Sequence, residues 1–351
     1  MREGNRRRFL WIALGACSPM GVGLAAWARR RTGDRPLEEC SWLLPRVGGG
    51  LATASATSWA LGSEVTITAL EADPGAARRG VEAALSALRQ VDALMSLYRP
   101  ESPLCRLNRE GVLEDPHPWL VAVLRRAGSM ARRSGGAFDA TVQPLWEVYA
   151  EAHRAGGLPE RLALEAARRR VDWRRVEVSA RRVRLHGRGT AVTLNGIAQG
   201  FAADRAAAAL ARHGIRHALV RAGEIAALGA KPDGRPWSVG IQHPRRPEAF
   251  VSVAALRGRC LSTSGDYATS FSDDLRDHHL FDPRTGRSPQ GLASVSVAAP
   301  TATEADALST AVFVLGPEQG LELVRATPGA DVLLVFKDGR TLATEGFPQS
   351  V

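Results

Sequence analysis

Asp306 and Thr310 stand four residues apart in the run Ala299-Pro-Thr-Ala-Thr-Glu-Ala-Asp-Ala-Leu-Ser-Thr310. A helix there places both side chains on one face. A carboxylate and a hydroxyl are hard oxygen donors, the type that Mg2+ or Ca2+ takes. Two oxygens do not complete a site. A carbonyl from a glycine turn, phosphate oxygens and water would fill the rest of an octahedron. The plainer reading makes Asp306 an acidic residue near a helix N-terminus, favoured by the helix dipole.

Three further segments hold groups able to do chemistry. In Thr193-Leu-Asn-Gly-Ile-Ala-Gln-Gly-Phe-Ala-Ala-Asp204, two glycines four apart separate a strand-like run from a helical one. That layout presents backbone N–H groups and a carbonyl to a ligand, as helix N-termini do for phosphates. Tight packing explains the same glycines. In Gly135-Gly-Ala-Phe-Asp-Ala-Thr141, Phe138 could stack on an aromatic ligand and Asp139 could accept hydrogen bonds from it. The alternative is a turn with a helix N-cap. Leu261-Ser-Thr-Ser-Gly-Asp266 precedes His278-His-Leu-Phe-Asp-Pro-Arg-Thr-Gly286. A histidine with a neighbouring aspartate can act as a base near pH 7. The His278-His279 pair also suggests a transition metal, but no other His or Cys stands at ligand spacing.

The elements that must position these groups are short and mixed. Residues 64–70 alternate like a half-buried strand, and 75–95 place Val81, Ala84, Leu85, Leu88, Val91 and Leu94 on one helical face. Residues 98–108 read as a loop. Helices are expected near 117–134, 141–155, 159–170, 197–213, 303–314 and 317–326. Strands are expected at 174–179, 182–186, 192–195, 217–221, 237–242, 250–256 and 293–298. A final hairpin turns at Asp338-Gly339. With no regular βαβ period and no internal repeat, the fold class is α+β, a single compact body of mixed sheets and helices. Residues 58–345 form that body, 29–57 a linker around Gly48-Gly49-Gly50, and 346–351 a tail.

Residues 1–28 read as an address. Arg6-Arg7-Arg8-Phe9-Leu10 precedes an apolar run from Trp11 to Trp27, similar to a twin-arginine export signal for folded proteins. Cleavage after Ala26-Trp27-Ala28, lipidation at Cys17 within Leu14-Gly15-Ala16-Cys17, and retention as a membrane anchor all put the body outside the cytoplasm. The other cysteines, Cys40, Cys105 and Cys260, show no zinc spacing, and no disulfide framework is expected. The chain of 351 residues is 45% hydrophobic and 23% charged, ordinary globular values. Its net charge of +10 comes mostly from scattered arginine. Aromatics are 6% and do not interleave with a basic stripe, which argues against nucleic acid as a partner.

The order and wording of six pieces resemble the FAD:protein FMN transferase family, first described as thiamine-biosynthesis lipoproteins. They are Met95-Ser-x-Tyr98 with Ser102-x-x-x-Arg106-Leu-Asn108, Gly136-Ala-Phe-Asp139, Asn195-Gly-Ile-Ala-x-Gly200, Thr263-Ser-Gly-Asp266, His279-x-x-Asp-Pro-x-Thr-Gly286 and Glu304-Ala-Asp-Ala-Leu308. The resemblance runs from about Leu61 to Val335. It implies an α+β enzyme that binds FAD as substrate with Mg2+ and transfers FMN to a Thr or Ser hydroxyl of a target protein, releasing AMP. It places Asp306, Thr310 and the Gly196 carbonyl on the metal. Leu61 (where the family usually has Met), Tyr98, Ala137, Phe138, Asp139 and Phe281 match flavin contacts. His279 stands at the position expected for the base, with His278 a neighbour whose loss should matter little.

Two positions depart from the family pattern. Thr193 replaces a usual Asp, and Gln199 a usual Lys or Glu, both in the FAD-binding segment. These departures motivate two alternatives: a flavin-binding delivery protein without chemistry, or a pyrophosphatase that splits FAD into FMN and AMP. The Asn195-Gly-Ile-Ala-Gln199 wording and the leader are similar to a periplasmic subgroup that matures the flavoprotein regulator of nitrous-oxide respiration. The implied partners are therefore an exported acceptor flavoprotein and the export machinery. The implied location is the periplasm, soluble or tethered to the inner membrane.

Overall fold

The computed structural model describes residues 41–43, 46–47 and 51–349. The expected export leader over 1–28 with Cys17, most of the expected linker, Cys40 and residues 350–351 lie outside the described residues.

Period-two patterning builds the first strands. Strands β1 (Ser41–Leu43) and β2 (Arg46–Val47) pair with β3 (Leu51–Ala60), which pairs with β4 (Ser63–Glu71). The expected linker over 29–57 is thus corrected: 41–43, 46–47 and 51–57 are sheet. Ala52, Ala54 and Ala56 are buried on alternate positions, so the strand period is present but written in alanine. The small side chains let helix α1 (Pro74–Met95) lie close over β3. Asp73 caps α1 by accepting the Gly75 N–H at 2.8 Å.

Residues 98–108 are not all loop. Ser102 accepts the Cys105 N–H, Pro103 sits at the first turn, and Gly111 at φ 73° ends helix α2 (Pro103–Glu110). Strand β5 (Val112–Glu114) follows, then helices α3 (Pro118–Arg133), α4 (Gln143–Arg154) and α5 (Arg161–Arg168). Strands β6 (Val176–Val178) and β7 (Arg182–Leu185) join β5 in a small sheet. The strand expected at 192–195 does not form. Asn108 takes the place of a neighbouring strand: its amide donates to the Val192 carbonyl at 2.8 Å and its Oδ1 accepts the Val192 N–H at 2.7 Å.

Helix α6 (Ala198–Arg212) leads into strands β8 (His217–Ala222) and β9 (Glu224–Leu228). The hairpin of β10 (Trp237–His243) and β11 (Arg246–Leu256) precedes β12 (Cys260–Gly265). The last elements are β13 (Leu292–Ala299), α7 (Ala302–Leu315), α8 (Pro317–Arg325), β14 (Asp331–Phe336) and β15 (Thr341–Ala343). The large sheet runs β1-β3-β4-β8-β9-β12-β13-β14-β15, with antiparallel neighbours throughout. The α+β class holds.

Each central strand feeds two cores. Ala218, Val220, Val295, Val297, Val332 and Leu334 face the helical layer, where α1 packs on α6, α6 on α7, and α7 on β12 and β13. Leu219, Ala298 and Leu333 face the other way, under the β10–β11 hairpin. Phe347 is buried there too, and Gln349 bridges to Ala254, so residues 346–349 belong to the body rather than to a tail. A third core joins α4 and α5 to the loop over 266–291 through Tyr149, Leu164, Phe271 and Phe281.

The closest helix approach is at Gly200. A Cβ there would stand 2.2 Å from the Ala302 carbonyl oxygen and 2.7 Å from the Asp306 Cβ. Gly200→Ala is expected to force α6 and α7 apart and cost about 1–3 kcal/mol, read from the urea unfolding midpoint. An unchanged midpoint would mean that this contact has room to relax.

Candidate active site

Asp204 fixes where α7 begins. Its carboxylate accepts the Ala302 N–H at 2.8 Å, the Thr303 N–H at 3.0 Å and the Thr303 hydroxyl. Asp306 follows one turn later, 3% exposed. Its Oδ2 accepts the Gly200 N–H at 2.9 Å, while Oδ1 accepts no hydrogen bond from the described residues. Thr310 lies one turn further on. A Cβ on Gly196 would be 3.0 Å from the Thr310 Oγ1 and 3.4 Å from the Phe138 ring. The structure therefore brings Gly196, Asp306, Thr310 and Phe138 together from three distant segments.

Charge at this point is unbalanced. Burial, then the nearby Glu224, raise the Asp306 carboxyl well above the carboxylate range; Asp204 adds to this, and the Gly200 N–H opposes it. Glu224 itself is pushed up to about 7 by burial, with hydrogen bonds from Ser262 and the Thr263 backbone opposing that rise. A buried carboxylate with a free oxygen, a hydroxyl beside it and no balancing cation fits a hard divalent ion. No group of three His, Cys, Asp or Glu able to hold a metal exists among the described residues. The remaining ligands would have to be carbonyl, substrate and water oxygens.

Leu61, Tyr98 and Gln199 gather beside this cluster. Leu61 is held at φ 54° in the β3–β4 turn, with its N–H donated to Asp92 Oδ1 at 3.1 Å and its carbonyl accepting the Gln199 amide at 3.4 Å. Tyr98 is 48% exposed and lies 3.8 Å from a Cβ position on Gly62. Gln199 lies over Gly223, whose φ of 80° favours glycine. Thr193 donates its N–H to the Ala140 carbonyl at 2.8 Å, and its hydroxyl accepts the Asn195 N–H.

Other expected flavin contacts have their side chains committed elsewhere. Ala137 and Phe138 are buried, with Phe138 in the main core. Asp139 caps the next turn: Oδ1 accepts the Thr141 N–H and hydroxyl, and Oδ2 accepts the Trp173 N–H at 3.0 Å. The Phe281 ring lies 4.9 Å from that of Tyr149 and stacks on Phe271. Both side chains are committed to local structure rather than projecting into open space.

The two histidines differ in kind. His278 is fully buried, packs edge-on against Phe313 of α7 and uses both ring nitrogens, one with the Pro289 carbonyl and one with the Leu280 N–H. Burial pushes it down to about 4, and its loss would leave a cavity and unpaired backbone groups. His278 therefore holds this loop in place against α7. His279 donates from Nδ1 to the Thr269 carbonyl at 3.1 Å, which leaves the Nε2 lone pair free to take a proton. Burial also lowers His279, keeping it neutral near pH 7. Asp266 is not its hydrogen-bond partner: that carboxylate is bound by both Arg245 guanidinium nitrogens at 2.7 and 2.8 Å.

Sequence reasoning passed over Glu224, Asp204, Ser262, Ser264 and Ser309. Ser262 and Ser264 alternate on β12 and could have been read as one polar face, but nothing local marks that face as buried.

Asp306 has a measurable consequence for pH. Its folded-state value lies above the unfolded one, so the folded chain keeps that proton where the unfolded chain has lost it. Stability therefore falls as pH rises through that window. In chelator, wild-type stability is expected to fall as pH rises above the ordinary carboxylate range, and Asp306→Asn to flatten part of that fall. Parallel pH curves for the two proteins in thermal melts would refute this.

The ApbE family model matches residues 61–334. Over 297 residues the chain is 36% identical to the FAD:protein FMN transferase of Treponema pallidum, covering 77% of this chain and 81% of that protein. The crystal structure of the ApbE protein of Thermotoga maritima superposes with a TM-score of 0.76 at 29% identity, covering 85% of this chain and 100% of that one. The apo form of the Pseudomonas stutzeri flavinyl transferase ApbE gives 0.75 at 29% identity, covering 87% and 100%. With the motif residues of four separate segments gathered at one site on this shared fold, the chain belongs to the ApbE family.

Proposed function

We propose that this protein is an FAD:protein FMN transferase that attaches FMN to a Thr or Ser hydroxyl of an exported target and releases AMP. The observation that carries this reading is the convergence of Asp306, Thr310 and Gly196, with the His279 loop anchored on the same helix through His278 and Phe313.

Asp306 and Thr310, with the Gly196 carbonyl, would hold Mg2+. The bound cation would neutralise charge on the pyrophosphate oxygens. Leu61, Tyr98 and Gln199, with the Ala137–Asp139 turn, line the place for FAD. His279 Nε2 takes the proton of the acceptor hydroxyl. The acceptor oxygen bonds to the FMN phosphorus, the bridging P–O bond breaks, and AMP leaves with its electron pair. The neutral Gln199 keeps a structural task, bonding Leu61 and covering Gly223.

Mixing FAD, Mg2+ and an acceptor protein is expected to give AMP and flavinylated acceptor. Binding without AMP would favour a delivery protein, and free FMN without acceptor a pyrophosphatase. Asp306→Ala is expected to abolish transfer. His279→Gln should slow it about 10²–10⁴-fold while sparing FAD binding. Wild-type single-turnover rates in either folded variant would overturn the corresponding role.

The leader supports a periplasmic enzyme, and its target there is of the class of exported flavoproteins, the regulator of nitrous-oxide respiration among them. Arg6-Arg7→Lys-Lys keeps the charge but removes the address. Fractionation should find the double-lysine protein, active, in the cytoplasm; unchanged export would mean another route carries it.

A further inference from the structure

We infer that Asp92 is a positioning residue of the FAD site, whose carboxylate ties the Leu61 turn to the Tyr98 segment and holds both in place for the flavin. The inference rests on the reading of Leu61 and Tyr98 as flavin contacts. Asp92 lies in the last turn of α1 and is buried. Its Oδ1 accepts the Leu61 N–H at 3.1 Å, and its Oδ2 accepts from Arg99 Nε at 2.7 Å. Each of the two flavin contacts is therefore a partner of this one carboxylate or the neighbour of a partner.

The backbone at Leu61 shows why a clamp is needed. Leu61 and Gly62 join Ala60 to Ser63, the last pair of the β3–β4 ladder. Their φ values of 54° and 75° follow the pattern of a type I′ turn, which favours asparagine, aspartate or glycine at its first central position. A leucine there crowds its Cβ against its own carbonyl. Such backbone persists where the surroundings over-determine it, and it clusters at ligand sites. The Leu61 N–H and carbonyl lie outside the ladder, and a helix side chain takes each one: Asp92 of α1 and Gln199 of α6. The Gln199 bond is neutral and long at 3.4 Å, so the shorter bond to a carboxylate is the stronger hold. The same residue fixes the start of the next segment. The Asp92 carbonyl accepts the Ser96 N–H at 3.0 Å, and the Ser96 hydroxyl accepts the Tyr98 N–H at 3.2 Å. Arg99 then turns back to the carboxylate, with the Tyr98 ring 3.8 Å from a Cβ position on Gly62. Two donors approach two different oxygens, and a carboxylate serves both, whereas an asparagine amide has one oxygen to offer.

The test uses the full chain with FAD and Mg2+, and binding is read from the anisotropy of flavin fluorescence. Asp92→Ala is expected to weaken FAD binding about 10-fold, the scale of one lost hydrogen bond to a charged group. Asp92→Asn, with one acceptor for two donors, should fall between that variant and the wild type. Arg99→Ala should weaken binding less than Asp92→Ala and add nothing to it, because both act through one carboxylate. Amide hydrogen exchange without FAD separates positioning from general stability: Asp92→Ala should lose protection at Leu61 while Ile67, further along β4, keeps its own. Wild-type FAD affinity in folded Asp92→Ala, effects of the two substitutions that multiply, or equal loss of protection at Leu61 and Ile67 would overturn the inference. If Asp92→Ala does not fold, Asp92→Asn takes its place in the same cycle. Failure of the wild-type protein to bind FAD would instead refute the FAD site itself.

Discussion

The rest of the site depends on one contact, the approach of α6 to α7 at Gly200. There a backbone N–H reaches the Asp306 carboxylate at 2.9 Å, and no side chain can intervene. A helix N-terminus has N–H groups without intrahelical partners, and α6 has no side-chain cap. One of those groups satisfies half of a buried carboxylate, and the other oxygen is left open. Asp204, one turn along α6, returns the favour by capping α7. Each helix thus terminates the other, and the register between them fixes Asp306 and Thr310 against Gly196.

The second constraint is buried negative charge. Asp204, Glu224 and Asp306 surround the first turns of α7, and they are handled differently. Asp204 spends its charge on helix N–H groups, where the dipole favours it. Glu224 is raised by burial to about 7, so a proton meets much of its charge. Asp306 has only the Gly200 N–H and is left short of positive charge. In a low-dielectric interior that shortage is costly unless a proton or a cation supplies the balance.

The histidine loop is held from outside the main core. Phe271 and Phe281 fasten it to α4 and α5, and His278 fastens it to α7. Arg245, at the tip of the β10–β11 hairpin, grips Asp266 where the loop leaves β12, and Lys337 lies 3.6 Å from the same carboxylate. His279 itself makes a single ring hydrogen bond, to a carbonyl. The neighbouring residues carry the rigidity, which leaves His279 Nε2 without a structural task.

Helices such as α1 and α3 were legible because a 3.6-residue apolar period is a local property, and the strands of the large sheet were legible where alternation used large residues. Where alternation used alanine, in β3, or where an asparagine side chain stood in for a strand at Val192, the pattern misled. The motif residues at Gly196, Asp306, Thr310 and His279 were also legible, as residue types in an order shared with a family. What the sequence could not show is the use of each side chain. Asp139 and Phe281 carry the same motif status as Tyr98, yet one caps a turn and the other fills a core. Glu224, Ser262, Ser264 and Ser309 carry little local signal and meet only when β9, β12 and α7 pack together. Type and spacing along a chain determine which groups are present and which face they share. Burial, charge balance and the direction of a hydrogen bond are set by atoms distant in sequence, and so only the tertiary structure decided them.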